Sequence, residues 1–182
     1  KQRSLGLIDD RYRLSEATFR KWESLSDEER AVEERKMAVY AAMIDRMDQN
    51  IGRVIRKLKE QGKFDDTLII FVSDNGASAE VVELKDSYGE IGSMTCWTSL
   101  GPDWANVANT PLRYFKNYSY QGGISAPMIA TWPNGLRNPG RLSDFTGHFI
   151  DIMATFVDLA GAPYPEEYKG RRIVPYEGVS LL

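Results

Sequence analysis

The sequence predicts an α/β fold with a mixed, mostly parallel sheet flanked by helices, and three observations carry that expectation. A long amphipathic helix ends at Gly62, a short loop follows, and an unbroken apolar run, Leu68-Ile69-Ile70-Phe71-Val72, comes next. A second apolar run, Ala126 to Trp132, is in turn followed by another amphipathic stretch. A strand without polar alternation suits burial on both faces inside a parallel sheet. Helix, loop and buried strand in succession make an αβ unit.

Size and charge bound the rest. The chain has 182 residues, with 26 acidic against 23 basic side chains and a net charge of −3. That is one domain or a large piece of one. Binders of nucleic acid usually carry a basic patch or a high pI, and this balance offers no such footprint. No apolar run approaches the roughly 18 to 20 residues of a membrane-spanning helix. The single cysteine, Cys96, rules out an internal disulfide and leaves the redox compartment open. Lys1 to Ser4 does not open a signal peptide, and the missing initiator methionine suggests processing or a fragment.

Residues 1–27 mix scattered apolar side chains with many charges, which predicts a surface segment with one short helix. The Asp9-Asp10 doublet there follows no buried strand and reads as solvated charge. Ser26 is a good N-cap, with Glu29 completing a capping box and Asp27 and Glu28 adding favourable first-turn charge. Apolar residues from Val32 to Leu58 then recur at mostly three- and four-residue spacing, and Gly62 stops the helix near Lys57, Lys59 and Lys63.

The buried strand ends in Ser73-Asp74-Asn75-Gly76. A carboxylate and an amide oxygen at the carboxyl end of such a strand lie where open α/β sheets bind ligands, and hard oxygens suit Ca²⁺ or Mg²⁺. Asn75-Gly76 equally matches a two-residue hairpin turn with an antiparallel strand returning at once.

Ala77 to Asn109 lacks a period, as functional loops do. Cys96 has neither His nor Lys beside it and reads as structural or incidental. In NTPLRYFKNYSYQGG (109–123), Arg113 and Lys116 lie among aromatics ahead of Gly122-Gly123. They are candidates to grip a phosphate- or sulfate-like anion, although ordinary surface lysines are commoner. Asn117-Tyr118-Ser119 matches a glycosylation sequon, a weak pattern. A helix is expected over His148 to Ala160, ended by Gly161 and Pro163. His148, the single histidine, is a candidate base or ligand, but with no second histidine a hydrogen-bonded framework role is favoured. The tail from Tyr164 is rich in Pro, Gly and charge and ends in GVSLL without a stop signal, as a cut chain would.

Four segments in order, 40–78 through SDNGAS, 100–133 through YFKNYSYQGG, GHFIDIMATFVDLAG at 147–161 and EGVSLL at 177–182, together resemble the sulfatase family. The likeness is to formylglycine-dependent arylsulfatases of the alkaline-phosphatase-like superfamily. The opening residues resemble the segment before the long helix in bacterial arylsulfatases.

The resemblance implies a partial alkaline-phosphatase-like fold. Asp74 and Asn75 would be two ligands of an active-site Ca²⁺, and Lys116 would contact a sulfate oxygen and offset charge in the transition state. Sulfate esters would be cleaved by attack on sulfur from a hydroxyl of the hydrated formylglycine. The substrate would be a sulfate-ester small molecule or a sulfated glycan, in an exported or periplasmic setting.

Departures from the family pattern are equally specific. Cys96-Trp97-Thr98-Ser99-Leu100 lacks the proline and arginine of Cys-x-Pro-Ser-Arg and lies downstream of SDNG. The formylglycine is therefore not encoded in this chain, nor are the family's amino-terminal acidic pair and catalytic histidines. His148 matches a framework position, and Gln121 stands where many members have Glu. Two protein ligands are also few for Ca²⁺, which takes about six to eight oxygens.

The chain accordingly reads as a carboxyl-side part of a sulfatase catalytic domain, without the nucleophile-bearing first half, completed by the remainder of the parent chain and inactive alone. Its expected parts are a surface segment (1–27), a long helix with the metal-site strand (28–76), a loop region with the lysine (77–123), and a strand, helix and tail (124–182). Two alternatives remain: a phosphoryl-transfer member of the same superfamily, and a non-catalytic scaffold domain.

Overall fold

The computed structural model describes residues 1–15, 19–137 and 139–182. The chain divides into two units, Lys1–Gly135 and Leu136–Leu182.

The first unit opens with a turn of 3₁₀-helix at Trp22–Ser24 and then α1, Asp27–Glu60. Both ends of α1 are set by local chemistry. The Ser26 hydroxyl accepts from Glu29 N at 3.2 Å while the Glu29 carboxylate accepts from Ser26 N at 2.9 Å, which is the expected capping box. At the other end Gly62 has φ +65. Gly62 N donates to Lys59 O and Lys63 N to Leu58 O at 2.9 Å, the paired bonds of a Schellman turn. No residue of α1 is buried, and Met43, Met47 and Val54 of its apolar stripe are exposed.

Strand β1, Ile69–Val72, pairs with β2, Met128–Thr131, in antiparallel register from Ile69↔Thr131 to Val72↔Met128. This differs from the mostly parallel sheet expected from the apolar run. The connection explains it: β1 runs into a joint at Gly76, and the chain leaves the same joint from Gly123 toward β2, so the strands must run in opposite directions. At the far end Asn134 holds the start of β1, with N to Asp65 O at 3.0 Å and Nδ2 to Asp66 Oδ1 at 2.7 Å. Neither face of β1 is sealed in this chain, since Phe71 is exposed and its neighbours are half-buried. The hairpin reading of Asn75-Gly76 is also corrected, because the partner strand begins only at Met128.

Within the stretch expected to be irregular lies α2, Gly101–Ala108, with Pro102 in its first turn. It docks on α1 through Trp104, whose Nε1 donates to Glu33 O at 3.1 Å, while Asp103 pairs at 2.9 Å with Arg20 in the segment before α1, whose guanidinium also reaches Glu29 at 3.4 Å. Ala105 is buried, as are Leu25 and Phe115. Phe115 packs its ring against Phe19 and Tyr118. A single turn, α3 (Gln121–Ile124), precedes β2, and the Gln121 side chain accepts from the Ser125 hydroxyl.

The second unit is built on α4, Phe149–Ala160, ended by Gly161 at φ +56. His148 is its N-cap, with Nδ1 accepting from Ile150 N at 3.3 Å. The buried Asp151 accepts from His148 N at 2.7 Å and from Val179 N at 3.0 Å. One turn on, Thr155 donates its hydroxyl to Asp151 O at 2.6 Å and accepts from Leu181 N at 3.0 Å. The tail is thereby laid along the helix. It also forms a two-residue antiparallel pair, β3 (Glu167–Tyr168) with β4 (Arg171–Arg172), which the sequence reading missed.

Candidate functional site

The end of β1 meets the lysine-bearing segment in a joint made of backbone. Gly76 N donates to Gly123 O at 3.1 Å, Lys116 N to Ala77 O at 3.0 Å, and Gly122 N to Arg113 O at 2.9 Å. Such close approach requires glycine. A Cβ on Gly76 would collide with the Gly122 carbonyl, and one on Gly122 with the carbonyls of Arg113 and Tyr114. The diglycine is thus explained by space, independently of any anion.

At the centre of the joint is Asn109, half-buried, at the C-cap of α2. Its Oδ1 accepts from Ala77 N at 3.1 Å, and its Nδ2 donates to Tyr114 O at 3.0 Å and to Gly122 O at 2.8 Å. Sequence reasoning missed Asn109, because an amide serving distant backbone leaves no trace in periodicity or spacing.

The structure brings the segments carrying Asp74, Asn75 and Lys116 together at this joint. Asp74 is exposed and Asn75 half-buried, and the Ser73 hydroxyl donates to Asn75 O at 2.8 Å, tightening the turn. Among the described residues no side chain pairs with the Asp74 carboxylate or the Asn75 amide. Nor does any group of three or more His, Cys, Asp or Glu side chains there lie close enough to hold a metal ion. What this chain offers is one carboxylate and one amide, a hard-oxygen pair that fits part of a Ca²⁺ or Mg²⁺ sphere.

The Lys116 ammonium lies 3.4 Å from Glu80 Oε1 and 3.5 Å from Oε2. The positive charge of Lys116, with the Ser78 hydroxyl, holds the Glu80 carboxyl below the ordinary carboxylate range. Glu80 lies in an aperiodic loop, where no sequence signal marked it. Lys116 is flanked by two non-glycine residues at positive φ, Tyr114 (φ 62) and Asn117 (φ 77). Backbone held in that sparse region costs of order 1 kcal/mol or more per residue and concentrates where geometry is over-determined.

Arg113 is otherwise engaged. Its guanidinium lies 4.8 Å from the Tyr114 ring centroid and 4.9 Å from that of Tyr120, and Nη2 reaches the Tyr114 hydroxyl at 3.4 Å. Tyr114 and Tyr118 stack at 4.5 Å. This arginine braces an aromatic cluster. His148 belongs to the other unit, where its ring nitrogen caps α4. Cys96 lies in the irregular stretch between β1 and α2, where its Sγ makes a long contact to Trp97 O at 3.9 Å.

Among the described residues no helix is long and apolar enough to cross a membrane. The family model described as Sulfatase matches residues 8–162. An uncharacterized sulfatase of Schizosaccharomyces pombe is 35% identical over 190 residues, covering 95% of this chain and 34% of that protein. Arylsulfatase of Klebsiella aerogenes is 33% identical over 192 residues, covering 98% and 41% respectively. Steryl-sulfatase of Homo sapiens is 32% identical over 139 residues, covering 75% and 21%. The chain spans less than half the length of each of these relatives, with 34% and 41% of the first two. By the family match across most of its length, the chain belongs to the sulfatase family.

Proposed function

We propose that the protein to which this chain belongs hydrolyses sulfate esters, the chain supplying Asp74 and Asn75 as two ligands of a divalent cation and Lys116 as a contact to a sulfate oxygen. The observation that supports this most is the joint: Lys116 is hydrogen-bonded through its backbone to Ala77, so the lysine and the acid-amide pair belong to one locality although some forty residues apart. Ca²⁺ is the proposed ion and Mg²⁺ the alternative, since both take hard oxygen ligands.

In this reading Asp74 and Asn75 hold the cation, which when bound polarises the S–O bonds of the ester. Lys116 places a compact positive charge where negative charge grows on the sulfate oxygens. Before substrate arrives, Glu80 keeps that ammonium from wandering. A sulfate oxygen then takes the position of the carboxylate as its partner. The remaining cation ligands and the nucleophile come from outside this chain, which alone releases no sulfate. The exposed apolar stripe of α1 is a surface for the remainder of the parent protein to cover. The substrate is a small sulfate ester or a sulfated glycan, met in an exported or periplasmic compartment.

The test is turnover of 4-nitrophenyl sulfate by the full-length protein, with and without a chelator, and with Lys116→Ala or Asp74→Ala. Each substitution is expected to lower kcat on the order of 100-fold, the cost of losing one charge-stabilising contact. Faster release of phosphate from 4-nitrophenyl phosphate would move the protein to the phosphoryl-transfer class. Turnover of neither ester would favour the scaffold reading.

A further inference from the structure

We propose that Asn109 is the positioning residue of this site, its one amide fixing the Lys116 turn against the strand end that bears Asp74 and Asn75. The inference rests on the roles given above to those three residues. It stands on its own geometry: a single side chain bonds backbone from three segments, Ala77 beyond β1, Tyr114 in the lysine turn and Gly122 in the diglycine.

The three partners fix the orientation of the amide, since its oxygen faces an N–H and its nitrogen faces two carbonyls. Both N–H bonds of Asn109 are spent on those carbonyls, so it has no donor left for a substrate anion. That separates positioning from catalytic contact. No other side chain of similar size could replace it. Aspartate has the acceptor but no donors, serine has one donor on a shorter arm, and leucine has neither. Without the amide, an N–H and two carbonyls would be left to find new partners in a half-buried place, and the turn would move to let water in. Because Lys116 follows Tyr114 by two residues, a shift of the Tyr114 carbonyl carries the lysine with it.

The experiment uses the full-length protein and 4-nitrophenyl sulfate, comparing Asn109→Ala, Lys116→Ala and the double variant, with thermal midpoints to confirm folding. We expect Asn109→Ala to lower kcat roughly 30-fold while KM changes less than about threefold, as misplacement of a charge-stabilising group would. The double variant should be no slower than Lys116→Ala by more than about threefold, because the amide acts through the lysine. Independently of activity, amide hydrogen exchange at Ala77 and Lys116 should speed up at least roughly tenfold, with α1 unchanged.

Losses that multiply in the double variant would overturn the inference, as would full kcat in a folded Asn109→Ala. An unaffected Lys116→Ala would overturn the reading beneath it, and the inference with it. That failure is recognised because it shows in the lysine variant alone. Should Asn109→Ala not fold, Asn109→Asp, which keeps the acceptor for Ala77 N and loses both donors, carries the same comparison.

Discussion

Asn109 in the first unit and Asp151 in the second each use one polar side chain to gather distant backbone, but with different chemistry. Asn109 faces one N–H and two carbonyls and therefore needs both halves of an amide. Asp151 faces only N–H groups, those of His148 and Val179, and a carboxylate is enough. The choice between Asn and Asp thus follows from which backbone groups converge. It also decides which anchor responds to pH, since the amide does not titrate and the carboxyl does.

Four outcomes would break or sharpen that contrast. The largest effect belongs to Gly76→Ala, because the added Cβ runs into the Gly122 carbonyl, which is backbone and cannot swing aside. We expect it to lower stability by about 3 kcal/mol in urea unfolding of the full-length protein, at the upper end of overpacking costs. A change under a few tenths of that would mean that the joint is loose and Asn109 does not hold it.

Next comes Asn109→Asp, which turns a carboxylate toward the carbonyls of Tyr114 and Gly122. A loss of about 2 kcal/mol is expected, the cost of polar groups left without partners. The mirror substitution, Asp151→Asn, should cost less, since the amide oxygen still accepts one of the two N–H bonds.

Acid separates the two anchors further. Accepting from Val179 N and then His148 N holds the Asp151 carboxyl below the ordinary carboxylate range. A carboxyl depressed in the folded state contributes stability that is complete above the ordinary range and is lost as pH falls through the lower folded value. Hydrogen exchange should therefore show the 179–181 amides opening on acidification while Ala77 stays protected, and Asp151→Asn should flatten that response. The smallest effect is that of Glu80→Gln. It should leave the thermal midpoint unmoved, as exposed ion pairs contribute little, and lower KM for an aryl sulfate roughly threefold by removing a negative charge beside Lys116.

How far these regions could be read in advance depends on the reach of their contacts. Helix α1 was legible almost to the residue, because Ser26, Glu29 and Gly62 act on neighbours three to five positions away. The start of α4 near His148 was legible for the same reason, although its capping role was not. Strand β1 could be found but not its pairing or its exposure, since five apolar residues in a row mark a strand and not which way its partner runs. The candidate site was legible only where its residues fall in motifs. Asp74, Asn75 and Lys116 belong to recognisable motifs, whereas Asn109 acts across 32 residues and Glu80 across 36. Helix α2 was missed because its Gly-Pro start looks like a loop until Trp104 and Ala105 dock it.

The capping box and Schellman turn of α1 bear on the order in which the molecule takes shape. A helix with both ends settled by its own neighbours can form within about a microsecond, before any distant part of the chain has arrived. The joint must wait for chain closure, whose entropic cost comes before its reward. A copy that stalls between these events would keep the helical circular dichroism of α1, the longest helix, while the joint had yet to form.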